Sequence, residues 1–159
     1  MSDIIQSLWI GETLSNLEIM SMKSFLTNGH IYHLYTYSDV NNIPEGVIVK
    51  DANEILDKSE IFTYTNGSPS AFSNLFRYML LFKKGGYWVD TDIVCNKPFV
   101  FNKEYLFITE PDVNYTKNIL TPSVLKAPAG NSYFQFAIDT CYKCKEAIRI
   151  GRMKWGLGP

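Results

Sequence analysis

The sequence predicts one α/β domain built on a mixed, largely parallel β-sheet flanked by helices. Three observations lead there. Strand-like and helix-like patterns alternate along the chain, which right-handed crossovers turn into parallel strands. No Pro-, Gly- or Ser-rich linker interrupts the 159 residues, the length of one ordinary domain. Apolar and aromatic residues make up 46% of the chain, enough for a core and too many for a disordered segment.

Residues 4–11, IIQSLWIG, read as the first strand. Residues 14–29, LSNLEIMSMKSFLTNG, follow as a helix, because Leu17, Met20 and Phe25 fall near helical spacing and Asn28-Gly29 is a stop signal. Aromatic and β-branched residues mark 31–37, IYHLYTY, as the second strand. Residues 46–56, GVIVKDANEIL, give a short strand and then a short helix.

The clearest helix lies in residues 67–86, GSPSAFSNLFRYMLLFKKGG, where Ser68 can cap, Pro69 suits the first helical position and Gly85-Gly86 ends the run. Phe72, Leu75, Phe76, Met79 and Leu80 share one face. Ser70, Ser73, Asn74 and Arg77 fall roughly opposite, and by themselves they read as a solvated surface. A strand starts at YWV, and its period of two carries Trp88, Asp90 and Asp92 to one side if the strand runs that far. Further strands are expected at 104–110 and 121–128, and a helix capped by Asn131 at 131–150.

Net charge is −1, with 15 basic and 16 acidic residues spread along the chain, so no footprint for nucleic acid or for anionic lipid appears. The first 16 residues lack the basic, apolar and small-residue regions of a secretory signal, which points to a cytoplasmic protein with reduced thiols. Cys141 and Cys144 form a C-x-x-C without a second Cys or His pair, and read as packed helical thiols. His30 and His33, three apart at the start of a strand, point to opposite faces and read as structural or surface residues.

The unusual feature is Asp90 and Asp92 inside the apolar run 87–94. Two carboxylates a residue apart at the end of a buried strand repel each other and lose hydration, and a cation is the simplest compensation. Such oxygen ligands suit Mg²⁺ or Mn²⁺, which bind one or two carboxylates together with substrate phosphates. A bare D-x-D also fits a loop whose acids face water.

Residues 72–99, FSNLFRYMLLFKKGGYWVDTDIVCNKPF, together with LWIG at 8–11, resemble the nucleotide-sugar segment of D-x-D glycosyltransferases of the GT-A fold. The likeness is particularly to bacterial capsular polysaccharide and related sugar transferases, and clostridial glucosylating toxins and lipid-linked α-galactosyltransferases share that core. The resemblance implies a Rossmann-like domain. Its implied activity is metal-dependent transfer of a hexose, with retention, from a nucleoside-diphosphate sugar such as a UDP-sugar to a glycan or lipid-linked acceptor. A lipid-linked acceptor would bring peripheral membrane association.

The same resemblance implies that Trp9 stacks on the nucleobase with the Leu8 backbone nearby, and that Arg77 and Asn74 contact the donor sugar. Trp88 takes the usual aromatic position, Asp90 touches ribose or sugar, and Asp92 ligates Mn²⁺ or Mg²⁺ with Asp90 beside it. Many relatives carry Asp where Asn74 stands, so the donor sugar stays open. No catalytic base or nucleophile is identified. Relatives continue past KWGLGP with a further ligand, so residues 1–159 are expected to be a C-terminally truncated domain.

Two other readings remain. In a haloacid-dehalogenase-type phosphatase Asp90 would be the nucleophile and Asp92 the acid/base, but that motif belongs on a first strand and needs a later acidic pair. After residue 112 only Asp139 and Glu146 occur, far apart. The third reading is a catalytically silent fragment that binds nucleotide sugar or a partner.

Overall fold

The computed structural model describes residues 4–112 and 114–153. Its elements are β1 (Ile4–Trp9), α1 (Asn16–Thr27), β2 (Ile31–Thr36), β3 (Val47–Asp51), α2 (Ser70–Lys84), β4 (Gly86–Val89), β5 (Leu106–Pro111), β6 (Asn118–Ala127) and α3 (Ser132–Arg149). A single 3₁₀ turn, Ala52–Glu54, stands where a short helix is expected after β3, and a second, Lys58–Glu60, follows it.

The six strands form one sheet in the order β3-β2-β1-β4-β6-β5. β1 pairs parallel with β2 and β4, and β2 with β3, whereas β6 runs antiparallel to both β4 and β5. The mixed, largely parallel α/β architecture is the one the sequence predicts. One core cluster packs α2 and α3 against the sheet, and a second packs α1 around β1, β2 and β4. Tyr78 of α2 stacks on Phe134 of α3 at 5.8 Å between ring centres. Cys141 is buried in this contact, and burial pushes its thiol up to about 11. No described helix is long and apolar enough to cross a membrane.

Two helices depart from their expected faces or ends. α1 opens with a capping box in which Ser15 Oγ accepts the Leu17 N–H and Glu18 Oε2 accepts the Ser15 N–H at 2.7 Å. It buries Glu18, Ser21, Met22 and Phe25, leaving Leu17 and Met20 45% and 51% exposed. Helical spacing therefore selects another stripe than the apolar count suggests, because Ser21 and Ser24 turn inward to bond the chain after β4. In α2, Pro69 is the N-cap instead of the first helical residue, while Ser68 Oγ accepts the Ser70 N–H at 3.3 Å. The stop after α2 is steric: Gly85 has φ +66°, and a Cβ there would lie 2.7 Å from the Ala129 nitrogen.

The sheet opens where β1 meets β4. β1 pairs with β2 as far as Trp9 with Thr36, but with β4 only at Ile5–Tyr87 and Gln6–Trp88. Beyond that, side chains replace the ladder. Gln6 Nε2 donates to the Gly85 and Tyr87 carbonyls, and Ser7 Oγ donates to the Val89 carbonyl at 2.6 Å. Strand order reverses at this junction, and in open α/β sheets the crevice outside the carboxyl ends of the strands at such a point is the usual ligand site.

Candidate functional site

β4 stops at Val89, so the D-x-D does not continue the strand as its alternation suggests. The Asp90 N–H still donates to the Ser123 carbonyl of β6 at 2.8 Å. The chain then turns, closed by the Ile93 N–H on the Asp90 carbonyl at 3.1 Å, and Asp92 sits exposed in that turn. The two carboxylates consequently have different surroundings.

Asp90 is the half-buried one, and its cation is supplied by the protein. Arg77 Nη2 lies 2.8 Å from Asp90 Oδ1, with the side chains 6% and 30% exposed. Trp88 Nε1 donates to the same oxygen at 2.8 Å. The guanidinium also stands over the Trp88 ring, 5.1 Å from its centre, a cation–π contact. Burial pushes the Asp90 carboxyl above its ordinary pKa; Arg77 and the Trp88 N–H pull it back, and the Asp92 charge adds to the rise.

This geometry corrects two expectations. Arg77 is buried, so the face it occupies on α2 is not a solvated surface. Asp90 is not held against Asp92 without relief, because Arg77 compensates it within the chain.

The remaining predicted residues lie on the elements around this triad. Trp9 ends β1 beside the open junction, half-buried against the α1 core, and its Nε1 is a buried donor without a partner. Gly11 folds over the indole edge so closely that a Cβ there would lie 3.1 Å from Nε1. The Leu8 side chain is buried in the α2 core, which leaves only its backbone for a ligand. Asn74 is partly buried on α2, three residues before Arg77. Trp88 is 1% exposed, and its N–H ends at Asp90. Arg77, Trp88 and Asp90 are thus drawn together by hydrogen bonds, Asp92 follows in the turn, and Trp9 stands at the end of the adjacent strand.

Sequence reasoning passes over the groups that hold these side chains in place. Ser7 and Ser123 bind the end of β4, and Ser21, Ser24 and Asn28 of α1 and its C-cap face the segment after Asp92. The spacing of the three α1 residues at i, i+3 and i+7 is the signal in the sequence, visible once the helix phase is known. His30 is structural, as expected: it is buried, and its Nε2 accepts the Phe99 N–H at 2.9 Å.

Among the described residues, no cluster of three or more His, Cys, Asp or Glu could hold a metal ion. The D-x-D itself offers an exposed Asp92 carboxylate beside Asp90, whose Oδ1 takes both protein bonds. Hard oxygen donors in this number fit Mg²⁺ or Mn²⁺, which fill their other positions with phosphate oxygens and water.

An aromatic residue, an Arg–Asp pair and an exposed carboxylate thus meet at the switch point of an open α/β sheet, which defines an α/β domain with a candidate ligand site there. The chain belongs to the family described as glycosyltransferase sugar-binding region containing DXD motif, whose model matches residues 13–127, more than half of its length. Comparison with curated proteins gives no match. Among solved structures the fold is similar to that of the PaToxG glycosyltransferase, with a TM-score of 0.67 and 15% identity over 99% of this chain. The chain spans 66% of that structure's length.

Proposed function

We propose that the chain is the donor-binding domain of a hexosyltransferase that uses a nucleoside-diphosphate sugar, with UDP as the nucleotide. The observation that carries this reading is the Arg77–Asp90–Trp88 triad, which ends at the sheet's switch point two residues before the exposed Asp92. Family membership supports the sugar-transfer class. Trp9 offers an indole to the base, and the Asn74 amide and the fixed Asp90 carboxylate offer hydrogen bonds to sugar and ribose hydroxyls. Arg77 acts by holding Asp90 in one orientation.

Asp92, with the second oxygen of Asp90, would hold Mn²⁺ or Mg²⁺, and the ion would supply charge neutralisation for the departing diphosphate. The acceptor is a glycan or a lipid-linked glycan, transfer proceeds with retention, and work on a lipid-linked acceptor takes place at a membrane surface. A phosphatase reading has no support in the geometry. Asp90 as nucleophile belongs at the end of a first strand, whereas it follows the fourth and is paired with Arg77.

Titration of UDP and GDP into the protein with Mn²⁺, and again with chelator, tests the reading, followed by a hydrolysis screen over UDP- and GDP-sugars. Metal-dependent UDP binding is expected. Affinity unchanged by chelator, or absence of binding to either nucleotide, would overturn it.

A further inference from the structure

We infer that α1 is the positioning element for the Asp92 turn, acting through Ser21, Ser24, Asn28 and His30. The segment between Ile93 and Phe99 belongs to no helix or strand, so its backbone groups need partners elsewhere. Side chains of α1 and the residues that end it provide them. Ser21 Oγ donates to the Ile93 carbonyl at 2.5 Å. Ser24 Oγ accepts the Cys95 N–H at 2.8 Å and donates to the Ser21 carbonyl at 2.6 Å. Asn28 Nδ2 donates at 2.9 Å both to the Cys95 carbonyl and to the Ser24 carbonyl. His30 Nε2 accepts the Phe99 N–H at 2.9 Å, with its ring edge-on to both Phe25 and Phe99.

Cys95 thus has both backbone groups bound by side chains of α1 and its C-cap, which serve it as a neighbouring strand would. Asp92 is the residue immediately before this clamped run, and its carboxylate is exposed, so no side-chain packing fixes where it points. Backbone placement must do so. One end of the turn is held by Asp90 on Ser123, and the other by Ile93 and Cys95 on α1. With β6 holding one end of the turn and α1 the other, the two elements together set the distance between Asp92 and the Arg77-held Asp90. None of these four residues needs to touch donor or ion; each acts through the segment.

The inference rests on the proposed donor-binding function, and the test separates the two. Ser24→Ala/Asn28→Ala in the full chain should lose hydrogen-exchange protection at the Cys95 amide in the metal-free state. It should also bind Mn²⁺ with UDP about tenfold more weakly than wild type at a temperature where both are folded, and raise the donor KM more than it lowers kcat. Ser24→Thr, which keeps the hydroxyl, should recover protection and affinity relative to Ser24→Ala. A double variant that loses protection at Cys95 but keeps wild-type Mn²⁺ and UDP affinity would reduce α1 to a structural role and overturn the inference. Wild-type protein that binds neither Mn²⁺ nor UDP would instead overturn the functional reading and this inference with it.

Discussion

Replacing Arg77 by Met keeps most of the aliphatic stem in the core and removes only the charge. The lost contacts are the 2.8 Å ion pair with Asp90 and the guanidinium over Trp88 at 5.1 Å. Removing one partner of a fully buried pair costs about 3–5 kcal/mol, because the other charge is left uncompensated. Asp90 is 30% exposed, so water screens part of that penalty, while the cation–π contact adds back about 0.5–1 kcal/mol. A loss of about 2–4 kcal/mol at pH 7 follows, a drop in Tm on the order of 10 °C for a chain of this size.

The sign of the pH dependence is also set. Burial already raises the Asp90 pKa above 3.8 with Arg77 present, and loss of the cation raises it further. The folded state then holds the Asp90 proton more tightly than the unfolded state, so the stability linked to this group is complete below the unfolded pKa and is lost as pH rises through the folded one. The gap between wild type and Arg77→Met should therefore be widest at neutral pH and narrow towards pH 4. Urea unfolding at both pH values would measure it, with Arg77→Met/Asp90→Asn as the partner variant, which should recover most of the loss. A gap below about 0.5 kcal/mol, the range of ordinary surface changes, or one equal at both pH values would refute the reasoning.

Asp92→Asn alters an exposed turn, so urea unfolding of the metal-free protein should stay within about 0.5 kcal/mol of wild type while calorimetry finds Mn²⁺-dependent UDP binding lost. Trp9→Ala should weaken UDP binding by about 1–3 kcal/mol, the range for base stacking on an aromatic ring; unchanged affinity in a folded variant would remove Trp9 from the site. His33 has its pKa lowered from 6.5 by burial and then by Lys50, so its neutral form is favoured in the fold. Thermal stability should consequently fall as pH drops below about 6.5, and His33→Gln should flatten that part of the profile.

The order of elements was legible because the signals are local. Gly85-Gly86 after an apolar-periodic run ends α2 wherever that helix docks, and Asn131 caps α3 through its own neighbour, the Tyr133 N–H at 2.7 Å. The D-x-D and the aromatic residues around it are likewise a matter of spacing along a few residues. These features need no information about the rest of the chain.

What a side chain meets across the molecule was not legible. Arg77 sits among polar residues on its helix, and nothing in that stretch says that α3 will pack over α2 and that Asp90 will close on the guanidinium. Leu17 and Met20 look like core, yet α1 turns Ser21 and Ser24 inward because the backbone at Ile93 and Cys95, about 70 residues on, must be bonded. β4 ends at Val89 because its ladder with β6 ends there, so Asp92 is left in a turn. By itself the sequence determined the alternating strands and helices, the capped ends and the paired carboxylates, since propensity and turn chemistry act within a few residues. Tertiary structure alone decided which charge is compensated and which is left for a ligand, because burying a polar group has to be offset by a partner that only packing brings near.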